Sequence, residues 1–165
     1  MILQIILIVF LILAICFSFV LIWGAPFLPT LKKQIKAALD LAELKKGDMI
    51  IDLGCGDGRL LIAAAQRGFN GLGYELNPLM FLIAKIRTIR YRKQIKIVFG
   101  NFWNHRWPKT EAIYVFLLPK LMKKLDNKII KDGYQDSKII TFAFKFPKRR
   151  PIAESQGVFL YDFKK

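Results

Sequence analysis

Hydrophobic positions are distributed in three ways along this chain. From Ile2 to Trp23 they run almost without interruption, with Gln4 and Ser18 the only polar residues. As a helix this stretch would reach roughly 33 Å, the thickness of a bilayer core. No Lys or Arg precedes it, and it exceeds the length of a signal-peptide apolar region, so it reads as a retained anchor rather than a cleaved leader. Gly24 to Thr30 (GAPFLPT) then breaks the pattern with one glycine and two prolines, as a hinge would.

Beyond the hinge the periodicity alternates between helical and extended. Leu31, Ile35, Ala38, Leu39 and Ala42 carry helical spacing over Leu31 to Leu44. Met49 to Leu53 is a short apolar strand that enters a glycine-rich loop, and Leu60 to Ala65 after it reads as a buried helix. Gly71 to Leu76 predicts a second strand, and Pro78 opens a helix through about Tyr91. Ile95 to Phe99, Ala112 to Leu118 and Lys138 to Phe144 predict further strands, with a helix over Pro119 to Lys131 and a last edge strand over Val158 to Phe163. Such alternation predicts an α/β domain, a parallel sheet with helices on both faces, over residues 31–165, behind an anchor at 1–23 and a hinge at 24–30.

Charge changes this picture. The chain of 165 residues has 27 basic and 12 acidic side chains, a net +15, and all of them follow Trp23. Lys32, Lys33 and Lys36, the first charges after the apolar run, place the domain on the cytoplasmic side by the positive-inside tendency. The excess positive charge suits the anionic surface of that leaflet or a nucleic acid, and the anchor favours the leaflet. Two cysteines, Cys16 and Cys55, and the single His105 leave no disulfide framework and no metal-binding set. The Pro147 to Pro151 segment, PKRRP, reads as a basic solvated loop.

The chemistry is concentrated in Asp52-Leu53-Gly54-Cys55-Gly56-Asp57-Gly58-Arg59 and in Glu75 at the end of the second strand. A glycine turn between strand and helix lets a ligand approach the backbone, and an acidic residue about 20 positions on can hold ribose hydroxyls. That much means a nucleoside cofactor. Gly58 falls two positions after Gly56, where a dinucleotide fingerprint has its third glycine three after. Asp52 and Asp57 would also repel a pyrophosphate, whereas they suit the ammonium and sulfonium of S-adenosylmethionine.

With DLGCGDGR, GYELNP from Gly73, NFW from Asn101, FLLP from Phe116, FAFKFP and a terminal YDF, the sequence resembles the membrane-associated protein lysine methyltransferases. These are class I enzymes with a Rossmann-like sheet, including those that act on the ATP synthase c-subunit and the adenine nucleotide translocase. The resemblance runs from about Gly24 to Asp162. It implies S-adenosyl-L-methionine as cofactor, with Asp52, Gly54, Gly56 and Gly58 at its methionine end, within a loop that includes Cys55 and Asp57. It also implies Glu75 at the ribose, Asn101 and Phe102 beside the adenine, and Pro29 and Thr30 in a loop that closes over the cofactor. Asn101 stands where the family more often has Asp, and the chain ends soon after YDF. The implied acceptor is a lysine of a protein at or in the membrane; a lipid or quinone, or RNA, is the alternative. FLLP differs from the Asn/Asp-Pro-Pro-aromatic motif of amino-methylating nucleic-acid enzymes, which argues against nucleic acid. Tyr74, Trp103 and Trp107 are candidates for an aromatic wall around the lysine, weighed against plain packing. Arg87, Arg90, Arg92 and Lys93 form a basic cluster at the end of the helix that Pro78 opens. No general base is evident.

Overall fold

The computed structural model describes residues 1–8, 10, 11 and 30–164. Residues 2–8, 10 and 11 are helical and exposed. Among the described residues no helix is long and apolar enough to cross a membrane; most of the predicted anchor, and the hinge except Thr30, lie outside them.

The domain begins with α1 (Lys32–Ala42), whose Ile35, Ala38, Leu39 and Ala42 are buried, as the helical spacing requires. It is followed by β1 (Met49–Leu53), α2 (Arg59–Gln66), β2 (Asn70–Glu75) and α3 (Pro78–Arg87), which passes into a 3-10 turn at Ile89–Tyr91. Then come β3 (Ile95–Phe99), a 3-10 turn at Phe102–Asn104, β4 (Ala112–Val115), α4 (Pro119–Asp132), β5 (Lys138–Phe142), β6 (Ala153–Ser155) and β7 (Val158–Tyr161). Local chemistry sets several boundaries. The Asn77 side chain accepts from the backbone N–H groups of Leu79 and Met80 ahead of Pro78. Gly133, at φ 79°, closes α4 in the left-handed conformation.

The strands form one sheet in the order β3-β2-β1-β4-β5-β7-β6. β1 to β5 are parallel to one another, while β7 is antiparallel to both β5 and β6. The predicted edge strand therefore lies inside the sheet. Val158 to Tyr161 are all buried, and the short β6, too polar to show as an apolar run, takes the edge. The predicted fourth strand stops at Val115, since Pro119 already starts α4 and the Leu118 before it is extended.

Alternation along β1 divides two cores. Ile50 faces α1 and α2, with Leu39, Leu60, Leu61 and Ala64; Ile51 and Leu53 face α4, with Met122, Leu125 and Ile129. Helices thus cover both faces. The strand order reverses at β1, between β2 and β4, and in such sheets ligands bind outside the carboxyl ends of the strands at that point.

Candidate active site

The β1–α2 loop crosses that crevice. The backbone N–H groups of Gly54 and Cys55 donate to the Tyr74 carbonyl at 3.0 and 2.9 Å, tying the loop to β2. Gly54 (φ 91°) and Gly56 (φ 55°) are in the left-handed region. A Cβ on Gly54 would project into open space, so this stretch of backbone is accessible to a ligand. At the end of β2, Glu75 accepts from Gly56 N–H through Oε2 at 2.7 Å and from Asn77 N–H through Oε1 at 2.8 Å. One carboxylate thereby joins the glycine loop to the start of α3.

Three carboxylates share the crevice and differ in their compensation. Burial pushes Asp57 upward, but hydrogen bonds and charge from Arg59, with the charge of Arg87, outweigh it and hold the carboxyl below the usual range. Arg59 reaches it through Nε and Nη2 at 2.9 and 2.8 Å, and Arg87 through Nη1. Glu75 is raised by burial, against which its backbone donors pull it down. Asp52, 4% exposed, accepts no hydrogen bond from the described residues; burial first, then the charges of Glu75 and Asp57, push it up to about 8. A buried carboxylate with acidic neighbours and no donor among the described residues is satisfied by a cation. This set of carboxylates, with the open face of Gly54, fits a cofactor bearing positive charge and does not fit a diphosphate.

Thr30 lies beside this cluster. Its carbonyl accepts from Arg59 Nη1 at 3.2 Å, and its hydroxyl is 3.3 Å from the Tyr114 hydroxyl. Tyr114 pairs with Asp52 in the β1–β4 register, on the same face of the sheet. Burial pushes its phenol well above the ordinary value; Thr30 pulls it back and the Asp52 charge adds to the rise. The sequence reading missed Tyr114 and the role of Arg59. Tyr114 gave no signal in the sequence, because every residue of β4 is buried and only the strand order sets it opposite Asp52. Pro29 lies outside the described residues.

The remaining candidates divide. Asn101 and Phe102 follow β3, at the same end of the sheet as Glu75; the Asn101 side chain accepts from Trp103 N–H at 3.1 Å and caps the 3-10 turn. Phe102 is half-buried against Trp103, with 4.7 Å between ring centroids. The Cys55 thiol is buried against Gly73, so only its backbone borders the crevice. Of the three aromatic residues, Tyr74 and Trp107 are core: Tyr74 packs on His105, and Trp107 packs on Tyr134 and donates its indole N–H to the Phe102 carbonyl. Trp103 is partly exposed and carries the Lys124 ammonium 4.5 Å from its ring centroid. The PKRRP loop is not wholly solvated: Arg149 pairs with Asp126 at 2.8 Å and lies over the Phe163 ring.

The architecture recurs in an RNA methyltransferase from Salinibacter ruber solved with S-adenosyl-L-homocysteine, with a TM-score of 0.72 over 81% of this chain and 91% of that one, at 23% identity. That likeness establishes the fold. In sequence, the chain is 31% identical over 128 residues to the Homo sapiens lysine N-methyltransferase named for the ATP synthase c-subunit, 76% of this chain and 54% of that protein. It is 30% identical over 125 residues to a protein-lysine N-methyltransferase of Saccharolobus islandicus, 73% of this chain and 77% of that protein. The chain spans about half the length of the mammalian relatives it matches. The family model for the ANTKMT methyltransferase domain matches residues 52–153, from the carboxylate of β1 to the first residue of β6. The chain therefore belongs to this methyltransferase family, whose cofactor is S-adenosylmethionine.

Proposed function

We propose that this protein transfers a methyl group from S-adenosylmethionine to a lysine side chain of a membrane protein, working from the cytoplasmic face of a bilayer to which its N-terminal segment anchors it. The observation that carries the reading is Asp52, a buried carboxylate with acidic neighbours and no donor among the described residues. Two relatives named as lysine N-methyltransferases support the choice of acceptor. The apolar run from Ile2 to Trp23 and the basic residues after it support the anchor and its orientation.

In this reading Asp52 and the backbone of Gly54, Cys55, Gly56, Asp57 and Gly58 hold the methionine end of the cofactor. Glu75 holds the ribose, Asn101 and Phe102 border the adenine, and Pro29 and Thr30 close over it. The Asp57 carboxylate acts indirectly, keeping Arg59 and Arg87 in place. Bound S-adenosylmethionine supplies an electrophilic methyl on a sulfonium. The protein has to align the amine with that methyl and exclude water. A lysine with an ordinary pKa is neutral in only about one case in a thousand near pH 7, so desolvation and the positive charge in the site must favour loss of its proton. Tyr114 stays protonated, so its hydroxyl can orient the amine but not deprotonate it.

The test is transfer of radiolabelled methyl groups from S-adenosylmethionine to a membrane fraction, resolved into protein, lipid and RNA. Label in protein, recovered as methyl-lysine, is the expected result. Label solely in lipid, or solely in RNA, overturns the lysine reading.

A further inference from the structure

Helix α3 leaves an apolar ridge uncovered. Leu82, Ile86 and Ile89 are 55%, 63% and 66% exposed and follow one another at helical spacing along its outer side and into the 3-10 turn that continues it. Solvent-facing aliphatic residues in a row, rather than scattered singly, mark a surface that something covers. The charge around them indicates what. Between Glu75 and Glu111 the chain has eight basic side chains and no acidic one. Lys85, Arg90, Arg92 and Lys93 are exposed beside the ridge, and none joins an ion pair among the described residues. Arg87 is the exception, drawn inward to Asp57.

We infer that this ridge lies on the surface of an anionic bilayer, with Leu82, Ile86 and Ile89 in the headgroup–acyl boundary and the basic side chains against lipid phosphates. An apolar ridge flanked by basic side chains binds a bilayer through buried apolar area together with attraction to anionic lipid. An RNA strand would use the charges but gain little from aliphatic residues, since bases stack on aromatic rings or guanidinium planes. The position on the molecule agrees. A cleft of about 640 Å³ is lined by Thr30, Lys32 and Lys36 from the start of α1 and by Arg87 from the end of α3. The end of α3 that carries the ridge thus lies near Thr30, where the described part of the domain begins. The inference rests on the proposed membrane location and adds a second contact to it, which would fix how the domain is turned toward the bilayer.

The experiment uses the full chain in vesicles of mixed zwitterionic and anionic phospholipid, with the photo-crosslinking residue p-benzoylphenylalanine in place of Ile86 or, as a control, of the exposed Ile130 on α4. Flotation with the vesicles reports membrane association by any route, and mass spectrometry identifies the adduct. The expected result is a lipid adduct at position 86, stronger with anionic lipid, and little or none at 130. A chain that fails to float overturns both the membrane location and this inference. A chain that floats but gives at position 86 no adduct, a protein adduct, or an adduct to its own N-terminal segment overturns this inference alone.

Discussion

Glu75 Oε2 accepts the backbone N–H of Gly56 at 2.7 Å, linking the end of β2 to a loop residue held in the left-handed conformation. The shape of the cofactor loop therefore depends on the same carboxylate that the family resemblance assigns to the ribose. Glu75→Gln removes the charge and leaves one acceptor oxygen for two backbone donors. Charge-assisted hydrogen bonds of this kind are worth about 1.5 to 3 kcal/mol, so cofactor affinity should fall by roughly ten- to a hundredfold. Calorimetric titration with S-adenosylhomocysteine measures it; an unchanged affinity would remove Glu75 from the site.

Gly73 faces Cys55 and Leu61 so closely that a Cβ there would sit 2.7 Å from each of their nearest side-chain atoms. Helix α2 and the loop that precedes it are thereby seated on β2. Gly73→Ala should destabilise the domain by about 1 to 3 kcal/mol through overpacking. Denaturant unfolding reads the loss. Cys55→Ala in the same chain should restore part of it, leaving the contacts with Leu61 and with the Cβ of residue 55 at 2.9 Å.

Much of this fold was legible because its central parallel strands are buried on both faces and appear as short apolar runs, as at Met49 to Leu53 and Ala112 to Val115. Ala153 to Ser155 was not legible: a three-residue polar edge strand has no periodicity to read, and missing it sent Val158 to Tyr161 to the edge. At the site, Asp52 and Glu75 were visible as the two ends of a known spacing. Tyr114 was not, since its importance comes from lying opposite Asp52 in the sheet register, which only the strand order reveals. Nor could spacing show that Asp57 is neutralised by Arg87, 30 residues away.

Asp57 ties the start of α2 to the end of α3 through Arg59 and Arg87. Its folded pKa lies below the unfolded one, so its contribution is present above about pH 4 and disappears as pH falls through the folded value. Asp57→Asn should cost about 1 to 3 kcal/mol at neutral pH. Once pH has fallen through the folded value, the native carboxyl is itself protonated and the difference should vanish. Thermal unfolding of both proteins across the acid range tests this; a gap that persists at low pH would mean that packing, not charge, accounts for it.

Asp52 titrates in the opposite sense. Its carboxyl is at about 8 in the folded protein and near 3.9 when unfolded, so between these values only the folded state holds the proton. The unfolded state then binds fewer protons, and the stability of the free protein should fall as pH rises from about 4, levelling off above about 8. Cofactor binding should show the reverse trend. A cationic ligand favours the ionised carboxylate, so its affinity should rise with pH, by at most about tenfold per unit, and flatten above about 8. Below that value binding should release a proton. Asp52→Asn should abolish both dependences, raise the melting temperature of the free protein at neutral pH and weaken cofactor binding. Titration calorimetry in buffers of different protonation enthalpy detects the proton directly. No release at pH 7, with affinity constant from pH 6 to 8, would mean that Asp52 is already ionised in the free protein and that its charge is compensated by another group.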